Sequence, residues 1–275
     1  MTSSRAPARP SRPRGARRLF TAGWLPDQHG AWPMALLPAL TGIVAGGPRP
    51  LALLLLGACF AGFSAFHAMS LFARLAERRR HAVTPALVTW SAIAIGTGVP
   101  LIVLSPALLR WSPFFAPLAL GAIVEALRGR PRSLTSRVST ILAACLMTPV
   151  AWSLGAHADH PLAPDLGQAW LIAALEAAYF LGTVPYVRSM IRGRGELRWI
   201  VASGTWHAAG FTLIALAAWK GIIHPGLALV WAGLLVRSIG LPLAVRAGRT
   251  IRPMMIGLLE MACTTAVWVF LLLGM

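Results

Sequence analysis

Long apolar stretches, separated by short loops that are alternately rich and poor in arginine, constrain this chain more than any other feature. About nine stretches can be drawn, at 31–46, 51–72, 83–104, 107–127, 138–156, 168–187, 199–218, 225–244 and 254–274. About 20 apolar residues carry a helix across the hydrocarbon of a bilayer. Without water, each backbone N–H and C=O must be satisfied internally, and a single segment does this only as a helix. The expected fold class is therefore all-α: a polytopic membrane protein of about nine transmembrane helices. Pro38, Pro100, Pro117, Pro149, Pro185 and Pro242 fall well inside these stretches. They are expected to kink helices that pack against neighbours.

The basic residues set the orientation. Six arginines lie in the N-terminal tail. Further clusters follow the second stretch (Arg74, Arg78, Arg79, Arg80), the fourth (Arg128, Arg130, Arg132, Arg137), the sixth (Arg188, Arg192, Arg194, Arg198) and the eighth (Arg246, Arg249, Arg252). The opposite side carries only Arg49, Arg110 and Lys220, and Arg237 lies within a stretch. Cytoplasmic loops carry the excess of Lys and Arg, so the N-terminus is expected in the cytoplasm and the C-terminus outside. The formal charge of +17 would suit a nucleic-acid-binding face, but such a face clusters its cations on a folded surface. Here they occupy spacers between apolar segments, so the bilayer is the expected partner and nucleic acid is not.

Residues 1–23 read as a disordered basic tail, too poor in large apolar side chains to order themselves. Residues 24–275 read as one helical transmembrane domain. Arg17-Arg18 does not begin a twin-arginine signal, because Trp24 to Gly30 interrupts the apolar region such a signal requires. Cys59, Cys145 and Cys263 sit inside apolar stretches without a CxxC pair, which indicates neither a disulfide framework nor a zinc site. No Walker loop, dinucleotide fingerprint, HExxH or GxSxG occurs, and no cofactor or metal is expected.

Ionisable side chains in hydrocarbon are costly, so each one present needs an account. His67, Glu125, Glu176, His207, Arg237 and Glu260 lie within the stretches or at their ends. All but Glu176 fall toward the cytoplasmic side; facing inward, they would line one cavity open to the cytoplasm. Each also has a plainer reading. His67 and His207 suit neutral packing residues, Glu125 suits an interfacial partner of Arg128, and Arg237 suits a snorkelling cation. Glu260 suits an ion pair with Arg237 across adjacent helices. Gln28, His29 and Trp32 form a second constellation at the entry of the first stretch, either an interfacial anchor or hydrogen-bonding groups at a cavity mouth. Tyr179 and Tyr186, seven apart, share a helix face with Glu176 and Thr183, and Arg188 follows them. That face is either a packing surface or a ligand site.

The run LPDQHGAWPMALLPALTG resembles the N-terminal signature of the YwiC-like family of bacterial integral membrane proteins. AYFLGTVPYVRSMIRGR and GTWHAAGFTL are similar to it in style. The resemblance implies a multi-pass protein of the bacterial cytoplasmic (inner) membrane and says little about activity. A more distant likeness is to the UbiA superfamily of intramembrane prenyltransferases, which implies nine helices around a cytoplasm-facing cavity. That superfamily's Asp-rich motifs are absent: the corresponding places read FHAMSLFARLAERRR and VPYVRSMIRGRGE, with only Glu77 and Glu196 nearby. Holding Mg²⁺ against a diphosphate needs convergent carboxylates, which argues against magnesium-dependent prenyl transfer. Three functions stay open. One is binding or modification of an amphiphilic or isoprenoid small molecule, with Arg74, Arg128 and Arg188 available to an anionic head. The others are small-solute or proton-coupled transport through Glu176 and Glu260, and a non-catalytic role in membrane assembly.

Overall fold

A computed structural model describes residues 19–26, 31–130, 133–155 and 166–274. The helices are α1 (Ala31–Gly46), α2 (Pro50–Arg74), α3 (Thr84–Leu104), α4 (Ser112–Leu127), α5 (Leu134–Cys145), α6 (Met147–Trp152), α7 (Leu166–Met190), α8 (Leu197–Trp219), α9 (Gly226–Arg246) and α10 (Pro253–Leu273). A 3₁₀ turn, Pro106–Trp111, leads into α4, and a short helix, Glu77–Arg80, lies between α2 and α3. No strand occurs among the described residues, and the all-α polytopic fold expected from the sequence is borne out. Among the described residues, eight helical segments are long and apolar enough to cross a membrane, counting the 3₁₀ turn with α4 as Pro106–Leu127 and α5 with α6 as Leu134–Trp152. The ninth, α1, has 16 residues, a rise of about 24 Å against a hydrocarbon core of about 30 Å.

Helix limits follow local chemistry. Pro50 and Pro253 begin α2 and α10, where a missing N–H costs nothing. The Ser133 side chain caps α5 by accepting a hydrogen bond from the Ser136 N–H at 3.1 Å. The break at Leu146 has a specific cause: Pro149 has no N–H to offer the Cys145 carbonyl four residues earlier. Residues 19–23, assigned to the basic tail above, include a helical turn at 19–21. Gly23 packs under Val83 and Leu71, and the Trp24 carbonyl accepts from Trp90 Nε1 at 3.0 Å.

Packing radiates from α7, which touches α1, α5, α6, α8 and α9 and carries 13 buried residues. The largest apolar cluster joins α5, α7, α8, α9 and α10 through Ile141, Tyr179, Ile214, Trp231 and Val267. A second joins α1, α2 and α6 around Ile43, Leu55 and Val150. The outside is apolar as well: Leu229 is 76% exposed, Val236 72% and Val103 69%. Such a surface suits contact with lipid and would be a liability in water.

α1 approaches α6 and the turn after it backbone to backbone. A Cβ added to Gly42 would lie 2.2 Å from the Thr148 carbonyl oxygen, and one on Gly155 would lie 2.0 Å from that of Gly46. Gly42 and Gly46 are four residues apart and present one small-residue stripe, the usual means by which membrane helices approach backbone to backbone. At the arginine-rich end, two contacts tie the α7–α8 loop to the α9–α10 loop. Arg194 Nη2 donates to the Arg249 carbonyl at 3.2 Å, and Arg246 Nη1 to that of Gly195 at 3.4 Å.

Candidate functional site

The intimate α1–α6 contact delivers two hydroxyls to one carboxyl. Glu176 on α7 is 2% exposed. Its Oε1 accepts from Thr41 Oγ1 at 2.6 Å and its Oε2 from Thr148 Oγ1 at 2.5 Å. Thr41 in turn accepts from Trp268 Nε1 of α10 at 3.1 Å. Both hydroxyls also lie near carbonyls of α1: Thr41 is 2.9 Å from Leu37 O and Thr148 is 3.0 Å from Pro38 O. Among the described residues no cation bonds to Glu176.

Arg237 of α9 and Glu260 of α10 form a second cluster. They make an ion pair through Nη1 and Oε1, with side chains 6% and 13% exposed. The guanidinium lies over the Tyr186 ring, 4.1 Å from its centroid, a cation–π contact out of water. Tyr179 Oη meets Thr264 Oγ1 at 2.8 Å and donates weakly to the Glu260 carbonyl at 3.3 Å. Among the described residues, four atoms here are buried with no hydrogen-bond partner: Arg237 Nε and Nη2, Glu260 Oε2 and Tyr186 Oη. His207 of α8 stands nearby with its Nδ1 2.8 Å from the Ser203 carbonyl. Gly182 admits it; a Cβ there would fall 3.2 Å from His207 Nε2.

Between α1 and α10 runs a groove of about 500 Å³, lined by Trp32, Pro33, Leu36, Leu37, Leu40, Met261, Thr264, Thr265 and Trp268. Thr264 and Trp268 therefore face the groove and also belong to the polar clusters behind it.

The sequence candidates divide accordingly. Glu176 lies in the first cluster; Arg237, Glu260, Tyr179 and Tyr186 lie in the second, and among the described residues no hydrogen bond joins the two. Trp32 lines the groove and stacks on Phe60, centroids 5.5 Å apart. The remaining candidates stand apart. Glu125 pairs with Arg130 at 3.0 Å and Arg128 at 3.6 Å. Arg188 lies 4.0 Å over the Trp199 ring, Arg74 Nε donates to its own helix at Ser70 O, and His67 is half-buried on α2. Arg74, Arg128 and Arg188 are thus engaged at three separate places. Gln28 and His29 lie outside the described residues. The candidates missed in sequence are Thr41, Thr148, Thr264 and Trp268. Thr41 beside the Gly42–Gly46 stripe was the available signal, since a small-residue stripe marks the face that meets another helix.

This arrangement defines a polytopic helical membrane protein with two polar clusters sealed between its helices and an apolar groove beside them. Residues 25–152 match the family model described as YwiC-like protein, so the likeness drawn from the QHGAW run is borne out and the part of the chain through α6 is YwiC-like in sequence. AYFLGTVPYVRSMIRGR and GTWHAAGFTL fall outside the matched residues. No curated protein and no solved structure matches the chain, which leaves the UbiA likeness without a fold to rest on.

Proposed function

We propose that this protein binds an amphiphilic or isoprenoid molecule within the membrane, its apolar chain lying in the groove between α1 and α10. The supporting observation is the groove itself. Its volume, about 500 Å³, lies within the range of small-molecule sites, about 300–1,000 Å³. Its lining is apolar except for Thr264, Thr265 and the two indoles, as expected where a few polar groups orient an otherwise greasy ligand. The test is mass spectrometry of lipids co-purifying with the intact protein and with Leu40→Trp, which fills the groove. One amphiphile enriched over bulk lipid in the wild type, and lost in Leu40→Trp, is the expected result. Bulk-like lipid in both refutes the reading.

A second reading, small-solute or proton-coupled transport, is favoured by one observation. Thr148, which holds Glu176, lies two residues beyond the break between α5 and α6, and interrupted helices with buried polar groups are where transporters place their sites. Proton-driven uptake by reconstituted protein that Glu176→Gln abolishes, with no co-purified amphiphile, would favour transport over the groove reading.

A further inference from the structure

The Arg237 cluster contains more hydrogen-bonding capacity than the protein uses. A guanidinium offers its donors along flat edges, and Nε with Nη2 makes up the edge that grips two oxygens side by side. Glu260 takes only Nη1 and the Cys263 thiol, a weak acceptor, lies beside the guanidinium, so among the described residues that two-donor edge has no oxygen partner although Arg237 is 7% exposed. Tyr186 is 0% exposed and its hydroxyl is likewise unpartnered. Its ring already stacks on the guanidinium, so it serves Arg237 as a platform whether or not the hydroxyl is present. Buried polar groups are nearly always hydrogen-bonded, and four unpartnered atoms on three touching side chains indicate a built receptor.

The chemistry of those atoms specifies the ligand. The guanidinium edge asks for two acceptor oxygens, Glu260 Oε2 asks for a donor, and the tyrosine hydroxyl serves either need. A protonated carboxylic acid supplies a carbonyl acceptor and an O–H; a singly protonated phosphate monoester supplies two acceptor oxygens and an O–H. Arg237 and Glu260 already offset each other's charge, so the acid adds no net charge to the buried site and the phosphate adds one negative charge. Thr264 stands between the two: it lines the groove, and its hydroxyl meets Tyr179 Oη and the backbone carbonyl of Glu260 on the side of the Arg237 cluster.

We infer that Arg237, Tyr186 and Glu260 receive the oxyacid head of the amphiphile whose chain occupies the α1–α10 groove; the inference rests on the groove reading above. The test uses full-length protein in phosphatidylcholine nanodiscs and equilibrium binding of oleic acid, oleyl phosphate and oleyl alcohol, which share one chain. At least one acid is expected to bind about tenfold or more tightly than the alcohol. Preference for one acid alone assigns the head to carboxylate or phosphate. Arg237→Lys keeps the charge and loses the flat edge, so the preference should vanish while alcohol binding persists. Tyr186→Phe removes a hydroxyl that bonds to none of the described residues, so the fold should be untouched and the preference should fall at least about threefold. Alcohol binding with no preference for either acid overturns the head assignment and leaves the groove reading standing, as does a preference unchanged in Tyr186→Phe and Arg237→Lys. Failure of all three ligands to bind refutes the groove reading and the head assignment together.

Discussion

Gly42→Ala tests how the Glu176 cluster is assembled. The added methyl carbon would meet the Thr148 carbonyl oxygen at 2.2 Å, Ala151 Cβ at 2.8 Å and the Thr148 carbonyl carbon at 3.0 Å. Comfortable contact for such atoms is about 3.5 Å, so α1 must retreat from α6 by about an ångström. Two of the obstructing atoms are backbone, and no flexible side chain can yield instead. Overpacking of this kind costs about 1–3 kcal/mol. The retreat also separates Thr41 from Thr148, and with them the 2.6 Å and 2.5 Å hydrogen bonds to Glu176, worth about 0.5–1.5 kcal/mol each. Better helix propensity returns up to about 1 kcal/mol, leaving a net loss of roughly 1–6 kcal/mol. Gly57→Ala is the matched control: Gly57 lies inside α2 with nothing within 4 Å of its added Cβ, so it keeps the propensity gain without the clash. Thermal unfolding in detergent can be followed with a thiol-reactive dye in a Cys59→Ser, Cys263→Ser background, because the remaining thiol, Cys145, is 2% exposed and reacts only on opening. The expected order of midpoints is Gly57→Ala at or above wild type, and Gly42→Ala several degrees below. A Gly42→Ala protein that melts as high as Gly57→Ala refutes the backbone contact between α1 and α6.

Two further outcomes are expected. Arg237→Leu strands the Glu260 carboxylate between helices and should cost about 3–5 kcal/mol, whereas Arg237→Leu with Glu260→Leu should regain most of that stability; a double-mutant cycle in the same melting assay shows strict additivity if the two side chains do not interact. Single cysteines at Arg78 and Lys220, in a background lacking the three native ones, should label oppositely with a membrane-impermeant maleimide applied to whole cells. Lys220→Cys should react and Arg78→Cys should not; the reverse pattern overturns the orientation drawn from the arginine loops.

The helices were legible because their signal is local. Twenty apolar residues without charge announce themselves, and Pro50 and Pro253 mark where two of them begin. The Arg237–Glu260 pair was also legible, since two opposite charges at similar depth on consecutive helices have few other partners. The surroundings of Glu176 were not. Threonines are unremarkable within an apolar stretch, and nothing local indicates that Thr41, Thr148 and Trp268 meet across three different segments. Tryptophan carries a misleading prior as well, because an indole near a helix end reads as an interfacial anchor. Trp268 instead turns its N–H inward to Thr41. The expectation of one shared cavity had treated depth as proximity, whereas groups at one level of a bundle are separated by the helices between them.

The groove and the Thr41–Trp268 hydrogen bond join residues 227 apart in sequence, which bears on how the protein is made. Helices emerge from synthesis in order, so α1 waits in the membrane with one face uncovered while α2 to α9 are inserted. Only when α10 arrives does that face gain its second wall. Loop-closing contacts of this span are among the slowest to form. Until then the α1 face is open to passing lipid or to an insertion factor, and a chain truncated before α10 should remain in that unfinished state. The groove would therefore double as a completion check, present only in molecules whose α10 has found α1.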